Sequence, residues 1–464
     1  MSFLRLLGVV GLSAFFVGCG GEVPETSFED PGTALWARRF GQGSGREPVG
    51  LAGVASGGVI VTGSYHGVVN FGGDTLQSPG NNHQAYVARY DGEGKHVYSR
   101  AFGTELAEMS NDVAVFPDGS ALIGGTFGWS FDLDGISLPW DGNDDAFVAK
   151  LDPAGKVVWA HAFGGAGWQE ATAVAAMPDG GAIVAGTTRV EVDLGIGEPQ
   201  DFFLGAFLVR LDAKGTPSWA QMIETDGYVF VAGIAVQGDT IAVVGNAWAN
   251  WLDVGLDDGL LPVGSAKAFV VTYDFEGKPA LARTLGVEGN SPAVKAVALT
   301  GDGGLVLTGG VRGNVDFGGG LFPGSQLHDE NTYLLELDAA LNHRRSFLYG
   351  GDNDDRGDGI AMTAGGGVIL AGQVYGPMSF GEASVAPPDD DSLEDAFVAE
   401  LDADRNPVFL RRFGGMGMQS GQQAAVDGQG RVYVAGTAVG TVDFGLGPTP
   451  GTGYFETFVV ALAP

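Results

Sequence analysis

The sequence predicts an all-β protein built as a single seven-bladed β-propeller, with four antiparallel strands in each blade. Three observations predict it. An apolar segment ending in glycine recurs seven times at nearly constant spacing, and each copy holds four short strand candidates. Beyond the N-terminal apolar run, no segment carries helical periodicity. Composition agrees, with Gly 80 and only 17% charged residues. Glycine costs a helix roughly 1 kcal/mol relative to alanine, yet it serves tight turns and bulges. Apolar residues at 45% exclude a disordered chain.

The first element is an export signal over residues 1–18. Arg5 is the lone charge before an apolar run from Leu6 to Val17, too short to span a bilayer as a stable helix. Phe16-Val17-Gly18-Cys19 resembles the bacterial lipobox, which implies lipidation of Cys19 as the first mature residue, although Phe16 departs from the usual leucine. Cys19 is the single cysteine of the chain, so no internal disulfide staples the fold. Residues 19–33, rich in Gly, Glu and Pro, read as a flexible tether, and residues 34–464 form the propeller. The expected location is the bacterial cell envelope, at the outer membrane or cell surface, with contact to the membrane only through the lipid on Cys19.

The repeat gives each blade its elements. The glycine-ended segments are Ile60-Val61-Thr62-Gly63, Leu122-Ile123-Gly124-Gly125, Ile183-Val184-Ala185-Gly186, Ala242-Val243-Val244-Gly245, Val306-Leu307-Thr308-Gly309, Ile369-Leu370-Ala371-Gly372 and Tyr433-Val434-Ala435-Gly436. Their last glycines lie 62, 61, 59, 64, 63 and 64 residues apart. The first strand of a copy is small and alternating, as in Asp112-Val113-Ala114-Val115, and a Pro117-Asp118-Gly119 turn leads to the glycine-ended second strand. The third carries an aromatic at one place in all copies: Tyr86, Phe147, Phe207, Phe269, Tyr333, Phe397 and Phe458. The fourth is typified by Val158-Trp159-Ala160-His161-Ala162-Phe163-Gly164. Between third and fourth lies Asp152-Pro153-Ala154-Gly155, with residues at the preferred places of a type I turn.

A four-stranded sheet cannot bury both faces alone, but seven around an axis bury one another's. The first segment after the tether, Leu35-Trp36-Ala37-Arg38-Arg39-Phe40, is of the fourth type, and the last, Phe458-Val459-Val460-Ala461-Leu462, is of the third. The N-terminal strand should therefore complete the last blade, leaving no open edge. A monomer is expected.

The pattern resembles the tandem bacterial β-propeller repeat family (SBBP-type repeats) of exported proteins. The resemblance rests on Phe163-Gly164-Gly165, the strand before Pro178-Asp179-Gly180, and Ile183-Val184-Ala185-Gly186-Thr187. It implies the propeller and export, and brings no catalytic residues with it.

Charge narrows the partners. The 24 Lys and Arg against 56 Asp and Glu give −32, and −33 once Arg5 leaves with the signal. Such a chain repels polyanions, so nucleic acid is not an expected partner. A second signature recurs after each second strand: Asn70-Phe71-Gly72, Asp132-Leu133-Asp134, Asp193-Leu194-Gly195, Asp253-Val254-Gly255, Asp316-Phe317-Gly318, Ser379-Phe380-Gly381 and Asp443-Phe444-Gly445. Carboxylates there could serve calcium, but Asn and Ser share only a short acceptor side chain with Asp, which is what an Asx- or ST-type turn needs. The acidic runs Asn143-Asp144-Asp145, Asp352-Asn353-Asp354-Asp355 and Asp389-Asp390-Asp391 lack the spacing of a calcium loop and read as solvated. Arg356-Gly357-Asp358 spells an adhesion tripeptide at the entry to a first strand, a match that short sequences produce by chance. Asp152, Gly155 and Trp159 are similar to the docking motif of quinoprotein propellers, but the glycine and tryptophan fall one residue early. No catalytic residue, cofactor or metal site is expected: the histidines are scattered, and neither a paired-His zinc helix nor a G-x-S-x-G elbow is present.

Tryptophan breaks the repeat. Trp36, Trp159 and Trp219 share one repeat position and read as core, whereas Trp129, Trp140, Trp168, Trp248 and Trp251 follow none. These five fall in second-to-third or fourth-to-first connections, which emerge on one rim of a propeller, here over blades two to four. They are the candidate ligand-binding face, in competition with burial beneath their own loops. The expected function is a non-catalytic surface lipoprotein binding protein or glycan. The alternative is a carbohydrate-active hydrolase or lyase with carboxylates at the mouth of the central channel.

Overall fold

A computed structural model describes residues 30–43, 49–104, 106–197, 204–257, 259–264, 267–286, 292–322, 329–351, 353–386 and 393–464. The signal, Cys19, most of the tether, Asp352 and the run Asp389-Asp390-Asp391 lie outside the described residues. Within them the repeat becomes seven blades. The second is representative: Glu108–Val115, Ala121–Phe127, Asp145–Leu151 and Val157–Phe163 pair antiparallel in chain order. First strands of neighbouring blades pack on one another in an unbroken cycle through all seven, so they line the axis.

Closure occurs where the end types place it. Ala34–Gly43 pairs antiparallel with Phe455–Leu462, which pairs with Val432–Ala438, which pairs with Gln419–Val426. Just before this strand, Gly32 N donates to Ala463 O at 3.0 Å and Ala463 N to Thr33 O at 2.8 Å.

The core is divided among the seams. Among the described residues seven apolar clusters are present, each joining two neighbouring blades and none confined to one. The repeated third-strand aromatics are all fully buried and enter the cluster shared with the preceding blade. Their rings explain the repeated glycine. A Cβ at Gly245 would stand 2.6 Å from the Phe269 ring and 2.3 Å from the Phe230 carbonyl oxygen. The carbonyl intrudes because the first strand is bulged at this level, between Val231 and Gly233 here and at the matching place in blades two to seven.

Two devices stitch the outer rim. Trp36, Trp159 and Trp219 do not sit within their own blades: each indole reaches the third-to-fourth turn of the next blade. Their Nε1 atoms donate to Gly92 O (3.0 Å), Ala213 O (3.2 Å) and Phe275 O (2.8 Å). The turn glycines Gly94, Gly215 and Gly277, all at positive φ, lie beneath the rings. Between blades five and six this contact gives way to an ion cluster, with buried Glu336 accepting from the buried Arg405 Nε and from the partly exposed Arg345 Nε at 2.8 Å.

The second device is the Asp-x-Gly signature. Asn70, Asp193, Asp253, Asp316 and Asp443 each accept the backbone N–H two residues on, at 2.6–2.9 Å, the Asx turn expected of them. Their backbones extend the previous blade: Asp253 pairs with Glu224, Asp443 with Gly414, Asp193 with Gly164, and Ser379 with Gly350. The second-to-third connection thus overlaps the outer strand of its neighbour.

Candidate functional site: a loop-face slot between the third and fourth blades

The first strands of blades three and four, Trp168–Ala176 and Tyr228–Gln237, are nine and ten residues long, the longest of the seven. Their extra length carries Trp168 and Tyr228 out at the loop rim. Both stand three residues before the ladder position that precedes the bulge, so they occupy the same place in successive copies. The cross-strand Cα partner of Trp168 is Arg189, and that of Tyr228 is Trp248. Trp168 is 55% exposed, Tyr228 59%, Trp248 54% and Phe230 42%. Single exposed rings are ordinary on a protein surface; several along one rim are the kind of feature that marks an interaction site.

Between the two blades opens a slot of about 290 Å³. Blade four contributes Tyr228, Val229, Phe230 and Trp248 to its lining. Its wall from blade three is polar, with Glu170, Thr187 and Arg189. Period two sets Tyr228 and Phe230 on one face of their strand and Val229, packed in the seam with blade three, on the other. Asn246, the cross-strand partner of Phe230, bonds Val294 of blade five, so the Tyr228, Phe230 and Trp248 face is the one toward blade five. Glu170 accepts from Asn111 Nδ2 at 2.9 Å. Burial raises the Glu170 carboxyl above its ordinary range, against the opposing pull of Asn111 and of the Arg189 charge. The slot therefore offers a donor, Arg189, and an acceptor, Glu170, from blade three.

The remaining predicted tryptophans separate into two roles. Trp129 and Trp140 form a tilted pair with ring centroids 4.6 Å apart, and Trp140 Nε1 donates to Asn143 O, so Trp140 supports Trp129, which is half exposed. Trp251 is half-buried on the strand Trp251–Asp253, where its carbonyl accepts from Thr225 Oγ1 at 2.9 Å. Trp168 and Trp248 are strand-end residues and not part of the connections to which the repeat parsing assigned them. Tyr228 and Phe230 escaped sequence reasoning because Tyr-Val-Phe is ordinary strand alternation. A signal existed: Tyr228 aligns with Trp168 once the copies are registered on their bulges.

The acids of the loop rim are engaged elsewhere. Asp355 accepts from Gly351 N at 2.7 Å and Tyr375 N at 3.0 Å, Asp395 takes Arg412 Nε at 2.6 Å, and Glu394 takes the Tyr375 hydroxyl at 2.7 Å. Asp145, from the Asn143 run, accepts Asp141 N at 2.9 Å. In the Arg-Gly-Asp tripeptide, Arg356 Nε bonds Asp358 at 2.7 Å, turning the pair on itself. His66 and His83, distant in sequence, bring their rings within 5.4 Å in blade one.

No family model matches this chain. A curated relative, the Regulatory protein FlaEY of Caulobacter vibrioides, is 26% identical over 388 residues, which is 77% of this chain. The chain spans 39% of that relative's length. Among solved structures, puromycin hydrolase is similar at a TM-score of 0.47 and 13% identity, covering 90% of this chain and 54% of that one. A protein of unknown function from Bacteroides caccae gives 0.37 at 12% identity, covering 79% of this chain and 94% of that one. Strand order, closure and seam packing together make the chain a seven-bladed β-propeller.

Proposed function

We propose that this chain is a non-catalytic binding module of the bacterial cell envelope, exported and held at the membrane by a lipid on Cys19, which takes a protein or glycan ligand on its loop face. One observation carries the reading: Trp168, Tyr228, Phe230 and Trp248 stand half exposed at the loop rim, in a structure whose seven repeated third-strand aromatics are buried. Aromatics with a nearby arginine are the residues that dominate contact energies at binding surfaces. The rim acids support the non-catalytic reading over a hydrolase or lyase, since Asp355, Asp395 and Asp358 are already bonded to backbone or arginine partners.

The test is a glycan array and a pull-down with the full chain beside a variant carrying Trp129→Ala, Trp168→Ala, Trp248→Ala and Tyr228→Ala. The ligand should be retained by the parent and lost by the variant, with the melting temperature of the two within a few degrees. Equal retention removes the aromatic face from the proposal. Release of new reducing or unsaturated ends from any retained polysaccharide would favour the enzyme reading instead. Labelling of Cys19 by a fatty-acid analogue, abolished in Cys19→Ser, tests the anchor.

A further inference from the structure

The path by which the chain enters the fold fixes which face meets a membrane. In the closing strand Ala34 pairs with Leu462 and Gly43 with Phe455. Phe455 begins a third strand and Leu462 ends it, so the closing strand runs from the rim of the tight turns to the loop rim. The residues just before it are pinned at the turn rim. Arg411, on the outer strand of blade six, donates to Gly32 O at 3.1 Å and to Pro31 O at 3.3 Å. Gly32 also lies against the Phe409 ring of that strand, and Thr33 N closes a turn on Asp30 O at 3.0 Å. The chain therefore leaves the body at the turn rim, beside blades six and seven.

The exposed rings stand at the opposite extreme. Trp129, Trp168, Tyr228, Phe230 and Trp248 occupy the loop rim of blades two to four, across the ring from the exit. Reach decides whether they meet the bilayer that holds Cys19. From Asp30 back to Cys19 the chain takes eleven residue steps, at most about 40 Å when drawn straight. The 10 residues of Ala34–Gly43 mark a blade wall about 33 Å tall, at about 3.3 Å per residue. Laying the rings on the bilayer would hold those eleven steps near full extension, giving up the conformational freedom of each. With the turn rim toward the bilayer, no part of the blade has to be climbed. Charge adds a second reason, since −32 repels a layer of anionic headgroups.

We infer that the anchored propeller stands with its turn rim toward the bilayer and its five rings outward, so that the loop face serves a partner on the aqueous side and not the lipid surface. This rests on the lipid-anchor reading and adds an orientation to it. The acylated full chain, reconstituted in phosphatidylcholine vesicles that carry an energy acceptor on their headgroups, tests it. With Cys19 acylated, a cysteine introduced elsewhere is the one free thiol for a donor dye. Lys214→Cys puts the dye on a turn of blade three, and Arg189→Cys puts it on the loop rim of the same blade; both positions are exposed. Energy transfer should be at least twofold greater from position 214 than from position 189, with the two labelled proteins melting alike. Equal transfer, or stronger transfer from position 189, in protein that floats with the vesicles would overturn the orientation and leave the anchor standing. Protein that takes the dye on Cys19 and does not float removes the anchor, and the orientation falls with it.

Discussion

Gly245 shows how one missing side chain organises two others. The space its Cβ would occupy is bounded by the fully buried Phe269 ring and by the carbonyl of Phe230, whose own ring is half exposed at the loop rim. Replacing it with alanine forces the bulge or the ring to move, and overpacking of this kind costs about 1–3 kcal/mol. We predict that Gly245→Ala lowers the melting temperature measurably and weakens binding at the loop face with it, whereas Trp248→Ala weakens binding at nearly constant stability. Differential scanning fluorimetry read beside the pull-down separates the two. A Gly245→Ala protein as stable as the parent would contradict the packing account. Residues of this sort were legible in the sequence because they recur. Phe230 was not, because its departure from the repeat is one of exposure, and a strand residue reads the same whether water or a neighbouring blade covers it.

At the scale of the element, the strand Ala34–Gly43 has the largest consequence. It supplies the fourth position of blade seven, and its removal would leave Phe455–Leu462 as an unpaired edge over an apolar cluster. Exposed edges of that kind pair with other molecules. We predict that deleting residues 34–43 yields an aggregating chain by size-exclusion chromatography, and that a synthetic peptide of residues 30–43 partly restores a soluble monomer. A monomeric deletion variant with unchanged melting would refute the role assigned to this strand. The strand's identity was readable from its fourth-type pattern, and so was the turn at Asp152. The overlap of each second-to-third connection with the preceding blade was hidden, because backbone pairing between distant segments leaves only the short acceptor at Asp193, Asp253 or Asp443 as its trace. The indole contacts of Trp36, Trp159 and Trp219 with the next blade's turn were half legible: a shared repeat position marks them as structural without saying which blade they serve.

For the whole molecule, buried acids set the response to pH. Burial raises Glu108, Asp112 and Asp355 to about 7 and Asp145 to about 6. A carboxyl whose folded value lies above its unfolded one binds its proton more tightly in the folded state. The stability this gives is present in full near pH 4 and is lost as pH rises toward 7. Mutual repulsion of the −32 surface adds in the same direction. We predict a melting temperature higher at pH 5 than at pH 8, by roughly 3 °C or more, with the difference reduced in Asp112→Asn. Equal melting at both values would refute it. Below pH 4 the trend reverses, since acids such as Asp302, held low at about 2 by Thr300 and Arg344, lose their partners.

Ring closure also has a consequence in time. The contact that completes the last blade joins Ala34–Gly43 to Phe455–Leu462, across nearly the whole chain. Pairings this distant in sequence form slowly, and this one has no lasting partner until the final strand is available. Six seams can assemble from neighbours as they appear, but the seventh must wait. Refolding should therefore end in a slow phase that belongs to one junction, and a chain permuted to begin between two other blades should move that phase to the new opening.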